Sequence, residues 1–297
     1  MAVVIITGSS SGIGNLTARE LANAGHTVFA TMRDVEGRNA PAAAQFRDLA
    51  LEDGIDIRVL ELDVRSQESA NSAVAAALAQ EGHIDVVVHN AGHLALGYTE
   101  AFTDNEVSEL FEVNAISVQR LNRAVLPHLR SQGSGLLLYV GSTTTVSVPP
   151  FLGPYVASKF AFDALAQVTA YEVSQFGIET VIVMPGAFTK GTEHFGHASS
   201  ASDAGVTAAY ARLDAMVAGY EAATEGLFDP AIDADPISVA REIARIVELP
   251  VGDKPFRSVI DFTQSDVALV NEVARASAAD FLRRMGFERL LQVRTKQ

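Results

Sequence analysis

Cysteine is absent from the 297-residue chain. That excludes a disulfide framework, thiol catalysis and a thiolate metal site. Positive charge is scarce: 22 lysines and arginines stand against 36 aspartates and glutamates, a formal net charge of −14. A nucleic-acid footprint would be basic, so no nucleic acid is expected as a partner. No uninterrupted apolar run approaches the roughly 20 residues needed to span a bilayer. No basic, apolar, small-residue leader precedes the first apolar run at Ala2, so no secretory signal is expected. The default expectation is a cytoplasmic protein.

What the chain does have is ordinary for a globular protein: 48% apolar and 20% charged residues. Its length can bury a large core, and doubly wound folds of this size often stay one domain. Apolar runs read as strands near residues 2–6, 27–31, 57–62, 84–89, 136–140, 179–184 and 258–262. Helical spacing separates them at 13–24, 41–52, 67–81, 105–131, 155–176, 236–248 and 265–284. Such alternation predicts an α/β fold: a doubly wound parallel sheet of about seven strands with helices on both faces. No internal repeat or linker divides residues 1–297. The least regular stretch, 189–235, has a helical pattern at 206–223, and 265–297 reads as a C-terminal helical extension.

Two places carry chemistry. The strand-like run Ala2-Val3-Val4-Ile5-Ile6 leads straight into Thr7-Gly8-Ser9-Ser10-Ser11-Gly12-Ile13-Gly14. Leu16, Ala18, Leu21 and Ala22 then recur at helical spacing. Strand, glycine-rich turn and helix make a phosphate site. The glycines let backbone approach a pyrophosphate, and the helix start offers free N–H groups and a positive dipole end. The second place is Gly153-Pro154-Tyr155-Val156-Ala157-Ser158-Lys159-Phe160. On a helix, Tyr155 and Lys159 share a face one turn apart. An ammonium beside a phenol stabilises the phenolate and lowers a pKa that is otherwise about 10. Such a phenol can move a proton near neutral pH, as interconverting a ketone and an alcohol requires.

The order Thr7-Gly8-x-x-x-Gly12-x-Gly14, Asn90-Ala91-Gly92, Asn114, Ser142, Tyr155, Lys159 and Pro185-Gly186 resembles the single-domain short-chain dehydrogenase/reductase family over residues 2 to about 190. The run Tyr155-x-Ala157-Ser158-Lys159-Phe160-Ala161 is most similar to the steroid and retinoid dehydrogenase branch. The resemblance implies a Rossmann fold, a bound nicotinamide dinucleotide and 189–235 as a substrate-binding insertion. It implies that Ser142 hydrogen-bonds the carbonyl oxygen and that Tyr155 donates or accepts the proton. Lys159 would tune Tyr155 and contact the nicotinamide ribose, and Asn114 would hold a water linking Lys159 to solvent. Thr7, Gly8, Ser10, Ser11, Gly12, Ile13 and Gly14 would surround the phosphates. Asp63, with Val64, would face the adenine, although Asp63 also reads as an N-cap for the helix at 67–81. Asn90, Ala91 and Gly92 would line the cofactor, with Asn90 first of all holding adjacent strands together. Pro185, Gly186, Phe188 and Thr189 would lie beside the nicotinamide.

Strand two ends Ala30-Thr31-Met32-Arg33-Asp34. A carboxylate at its end would accept from the ribose 2′-hydroxyl, whereas an arginine accommodates a 2′-phosphate. Met32 at the acidic position and Arg33 after it favour NADP(H), with NAD(H) possible because Asp34 is one residue away. For the substrate, His93, Leu94, Leu96, Val148, Phe151, Leu152, Phe188 and Phe195 suit a hydrophobic ketone or secondary alcohol. His194-Phe195-Gly196-His197 has no metal-ligand spacing, and no metal is expected. The helix at 155–176 is apolar round most of its circumference, which suits burial against a second copy in a homodimer or homotetramer. Three alternatives stay open: a non-catalytic NAD(P)-sensing protein on the same fold, a 3-oxoacyl-type reductase of the same family, and an epimerase or dehydratase that retains its cofactor.

Overall fold

Apolar β-branched runs that must be buried on both faces favour a parallel sheet covered by helices. The computed structural model describes residues 1–294. It holds one seven-stranded sheet in the order β3-β2-β1-β4-β5-β6-β7. The strands are β1 (Val3–Thr7), β2 (Thr27–Met32), β3 (Ile57–Glu61), β4 (Val86–His89), β5 (Gly135–Val140), β6 (Ile178–Pro185) and β7 (Arg257–Ile260). Every neighbouring pair is parallel. Parallel neighbours need crossovers, and helices supply them. These are α1 (Gly12–Asn23), α2 (Ala40–Glu52), α3 (Gln67–Glu81), α4 (Asp104–Phe111), α5 (Ser117–Gln132), α6 (Gly153–Val173), α7 (Ala204–Ala209), α8 (Asp214–Ala218), α9 (Tyr220–Glu225), α10 (Ile237–Glu248) and α11 (Val267–Arg284).

Side chains alternate across each strand, so the sheet feeds two cores. Val3 and Ile5 face a layer filled by Val74 of α3, Leu121 and Leu129 of α5, and Phe162 of α6. Val4 and Ile6 face the other, filled by Leu21 of α1, Phe46 of α2 and Ile243 of α10. Strand order reverses between β1 and β4. In open α/β sheets that reversal opens a crevice at the carboxyl ends, where ligands bind.

Three elements differ from the expected ones. The single helix expected over 105–131 is α4, a π-helical turn at Glu112–Ile116, and α5. The extra residue in the π turn rotates α5 relative to α4, and Asn114 becomes almost fully buried. The expected helix 206–223 breaks into α7, α8 and α9, with Gly219 between the last two. The extension 265–297 forms α11 and a short turn at Glu288–Leu291; its residues 295–297 lie outside the described residues. Among the described residues, no helix is long and apolar enough to cross a membrane. One side of α6 packs on the sheet through Phe162 and Ala166, while Phe160 and Val168 on its other side are exposed.

A buried ion pair closes the far edge of the sheet. Lys254 Nζ lies 3.0 Å from Glu179 Oε2, and both side chains are almost fully buried. Gly252 N donates to the other carboxylate oxygen. Removing one partner leaves an uncompensated buried charge. Lys254→Ala should therefore cost about 3 kcal/mol, lowering the melting temperature by roughly 6 to 12 °C. Pairing Lys254→Met with Glu179→Leu should recover most of that loss. Calorimetry checks both variants, and an unchanged midpoint for Lys254→Ala would show the pair to be dispensable.

Candidate functional site

The crevice at the β1/β4 switch is a cleft of about 1040 Å³. Its floor is set by contacts between backbone and small side chains. Asn90 Nδ2 donates to Thr7 O (2.9 Å) and Gly8 O (3.1 Å). Thr7 Oγ1 accepts from Asn90 N and Ala91 N, both at 3.0 Å. A Cβ on Gly14 would stand 2.3 Å from Gly8 O, and one on Gly8 would stand 2.9 Å from Ala91 Cα. Gly8 and Gly12 also take φ of +70° and +54°, which side chains disfavour. Ser11 precedes α1 without a side-chain cap, and the first turn carries no carboxylate. Nothing there competes with an anion for the free N–H groups. A dinucleotide pyrophosphate fits this cradle.

At the next strand end, Met32, Arg33 and Arg38 line the cleft and Asp34 does not. Asp34 has φ +54°, and its carboxylate turns back to accept from Arg38 N at 2.7 Å. Glu61 takes the Asp34 and Val35 N–H groups. The turn thus consumes its own carboxylates and presents two guanidiniums. Arg38 was not foreseen, because only the fold of residues 34–39 brings it beside Arg33. Asp63 lines the cleft and accepts from Arg65 N at 2.9 Å. The N-cap of α3 is Ser66, which accepts from Ser69 N.

Ser142 follows β5, and Tyr155 and Lys159 lie one turn apart on α6; all three line the cleft. Pro154 starts that helix well, since its missing N–H is one the first turn cannot use. Ser142 Oγ accepts from Thr144 N (3.2 Å) and Thr144 Oγ1 (2.9 Å). Its own proton is left for the Tyr155 hydroxyl, to which Ser142 is hydrogen-bonded in the cleft. Lys159 Nζ donates to Val140 O at 3.2 Å and lies 5.9 Å from the Tyr155 ring centre. Asn114 sits one layer behind. Its Oδ1 accepts from His93 N, and its Nδ2 donates to His93 O and to Ser158 Oγ. Ser158 in turn donates to Tyr155 O. This unforeseen serine ties the π turn to the helix carrying Tyr155.

The electrostatics correct one expectation. In the protein alone Lys159 does not make Tyr155 acidic. Burial pushes the Tyr155 phenol up to about 12, against an opposing hydrogen bond from Ser142. Burial pushes the Lys159 ammonium down to about 8. Desolvation disfavours the charged form of each group, and the ammonium is bonded to a carbonyl rather than to the phenol.

Two expected cofactor residues, Thr7 and Thr189, fall outside the cleft lining. Thr7 is occupied in joining β1 to β4. Thr189 precedes Gly191, whose φ of +71° turns the chain so that Thr192 lines the cleft instead. Thr192 Oγ1 is buried there without a partner. Of the expected substrate residues, His93, Leu94, Leu152, Phe188 and Phe195 line the cleft, whereas Leu96, Val148 and Phe151 do not. Leu96 N is tied to Ser199 O, Val148 is 63% exposed, and Phe151 lies edge-on to Tyr98 and Tyr220. The insertion contributes two unforeseen rings. His194 meets Tyr155 edge-on at 5.8 Å, and Tyr220 lines the cleft. Solvent still reaches His194 through the open cleft. Its enclosure there, then the nearby Lys159 and His93 charges, push its pKa down to about 4.

The profile of the short chain dehydrogenase family matches residues 2–202. The chain belongs to that family. It is 38% identical to human 17-beta-hydroxysteroid dehydrogenase type 1 over 186 residues, 61% of this chain and 55% of that protein. It is 33% identical to the 3-ketodihydrosphingosine reductase of Bacteroides thetaiotaomicron over 189 residues, 64% of this chain and 65% of that one. The matches thus span less than two-thirds of either curated relative. Among solved structures, a short-chain dehydrogenase from Streptomyces avermitilis superposes with a TM-score of 0.72 at 27% identity, covering 96% of this chain and 98% of that one. An alcohol dehydrogenase from the archaeon Thermococcus sibiricus, complexed with 5-hydroxy-NADP, gives 0.68 at 26% identity over 88% and 96%.

The Lys159 environment fixes a pH signature. The folded pKa lies below the ordinary lysine value, so the unfolded chain binds more protons between about pH 8 and 10.5. The penalty for burying this ammonium is full below pH 8 and fades as pH rises through that window. Between pH 8 and 10 the wild type should gain stability relative to Lys159→Met. Denaturant melts of both proteins across that range check it, and a constant difference between them would refute the assignment.

Proposed function

We propose that this protein is an NADP(H)-dependent oxidoreductase that moves hydride between nicotinamide and a hydrophobic ketone or its secondary alcohol. One observation carries the reading. The Ser142 and Tyr155 hydroxyls, from different elements, meet in the cleft that the bare N-terminus of α1 also faces. A bound nicotinamide supplies or accepts the hydride; the rest falls to side chains. Ser142, hydrogen-bonded to the Tyr155 hydroxyl in the protein alone, turns its proton to the substrate oxygen and holds the carbonyl beside Tyr155. Tyr155 gives the proton in reduction and takes it in oxidation. A phenol near 12 begins the cycle protonated, the form that reduction needs.

Lys159, with a pKa near 8, holds a proton it can release close to neutrality. A Cβ on Gly92 would lie 3.2 Å from Asn114 Oδ1 and 3.8 Å from Lys159 Nζ. The missing side chain leaves room bordered by both groups. We assign that room to the water that resupplies the proton. Arg33 and Arg38 take the 2′-phosphate of NADP(H), and the 5-hydroxy-NADP complex of the archaeal neighbour supports this choice. Thr192 replaces Thr189 as the hydroxyl facing the nicotinamide end. The exposed Phe160 and Val168 side of α6 seats a second copy in a homodimer or homotetramer. The protein is read as cytoplasmic.

Tyr155→Phe should lower kcat by at least about 1000-fold and leave NADPH binding within roughly three-fold. Stopped-flow reduction of a test ketone together with cofactor titration decides this; a kcat near wild type removes the mechanism. Arg33→Ala with Arg38→Ala should raise the KM for NADPH by about ten-fold or more, with little change for NADH. Equal effects on the two cofactors would remove the 2′-phosphate assignment.

A further inference from the structure

Resting on the oxidoreductase reading, we infer that the substrate end of the cleft selects uncharged, planar ketones and turns away anionic ones. Apart from Asp63, which stands with the arginines, the basic and acidic side chains lining the cleft are segregated. Arg33, Arg38 and Arg65 stand at the ends of β2 and β3, on the dinucleotide side. Glu106 and Glu109 of α4 and Glu193 of the insertion line the other side. Among the described lining residues, the only lysine is Lys159, whose ammonium is bonded to Val140 O behind the Tyr155 ring.

The acidic side is built to stay charged. Glu106 accepts from Thr103 N, Thr103 Oγ1 and Ser202 N, which holds its carboxyl below the usual range. Of the three imidazoles lining the cleft, His197 is solvent-exposed, and the other two offer no compensating charge at neutral pH. Burial and the Arg33 charge hold His93 low against the pull of Glu109, and His194 is held low as well. A carboxylate or phosphate on the substrate therefore meets three carboxylates, and the one guanidinium in reach of His93, Arg33, is the one assigned to the cofactor phosphate. Glu109 and Glu193 are solvent-exposed, so this repulsion is one that salt screens.

Shape comes from rings. His194 stands edge-on to Tyr155. Tyr220 packs on Phe195 at 6.2 Å and on Phe151 at 6.4 Å. His194, Phe195 and Tyr220 all belong to the insertion, so one segment frames the reacting hydroxyl with aromatic faces and edges. Leu94, Phe102, Leu152 and Leu227 complete the wall. A flat conjugated ring next to the carbonyl meets such surfaces favourably. An acyl group on a phosphorylated carrier arm has to pass the acidic rim first. This selectivity therefore also separates the preferred reading from a 3-oxoacyl-type reductase.

The test uses a matched pair on the full-length protein saturated with NADP⁺: methyl 4-acetylbenzoate, which is neutral, and 4-acetylbenzoate, which is anionic. Titration calorimetry should show the ester binding about ten-fold tighter at low ionic strength. The gap should narrow in high salt and in the E109Q/E193Q variant, whose two positions are solvent-exposed. Equal or tighter binding of the carboxylate overturns the inference. So does a gap indifferent to both salt and the glutamate changes, or no binding of either ketone. NADPH oxidation with the same pair is read separately. If the binding order holds but neither ketone is reduced, the oxidoreductase reading falls and the charge selectivity stands.

Discussion

One amide holds the functional end of this molecule together. Asn90 bridges the carbonyls of Thr7 and Gly8 at the point where β1 and β4 part. At a switch point the chain leaves adjacent strands in opposite directions, and the backbone groups there lose their sheet partners. Asn90 and the Thr7 hydroxyl replace those partners from the side chains. The crevice stays open because the bonds that would collapse it are already made. The glycine loop depends on the same contact. Asn90 Nδ2 lies so close to Gly14 that a Cβ there would stand 2.4 Å from it. Thr7 therefore acts beneath the cleft surface and Asn90 at it, and together they brace the gap between β1 and β4.

A second constraint is the cost of burying titratable groups. Tyr155 and Lys159 are both sequestered, and water lost from the charged forms moves their proton affinities in opposite directions. The phenol rises and the ammonium falls, so at neutral pH Tyr155 is firmly protonated while Lys159 holds its proton only loosely. Hydrogen bonds fix the surrounding geometry. Lys159 is bonded to Val140 O, and Asn114 is committed to His93 and Ser158. Each of these polar groups has a protein partner that fixes its direction, and the Ser142 and Tyr155 hydroxyls are left hydrogen-bonded to each other in the cleft. Preorganisation of this kind comes from the π turn, which no run of helix-favouring residues would have signalled.

Most of the fold was legible in the sequence because strand and helix periods differ and alternate cleanly. All seven strands fall within two residues of the runs that mark them, as the β4 run 84–89 and Val86–His89 show. The Tyr155 and Lys159 pair was legible for a different reason: helical spacing alone places both on one face. What was not legible depends on backbone direction. Thr189 and Thr192 are chemically equal in the sequence, and only the left-handed turn at Gly191 decides which one faces the cleft. Arg38 and Asp34 likewise exchange importance because Asp34 folds back on its own loop. The expected acidity of Tyr155 failed because spacing reports proximity, while the proton affinity is governed by the water each group gives up.

The insertion shows why the substrate was the least legible feature. Its residues come from short helices broken by Gly219 and from a loop, so no periodicity links His194, Phe195 and Tyr220. They become one surface only when the segment folds over the sheet edge. There Phe195 and Tyr220 share a small apolar cluster with Leu94, Phe102, Leu152 and Tyr155 rather than with either main core. A third cluster that includes Tyr155 can change its lining residues without disturbing the sheet. The dinucleotide end, by contrast, is built from strand termini and backbone N–H groups, which have little freedom to vary. The two ends of the cleft therefore answer to different physics: the strand-terminal end to sheet geometry, the other to the side chains of a segment held by ring contacts and by hydrogen bonds to neighbouring loops, such as Leu96 N to Ser199 O. Specificity within this architecture is set where the sheet exerts least control.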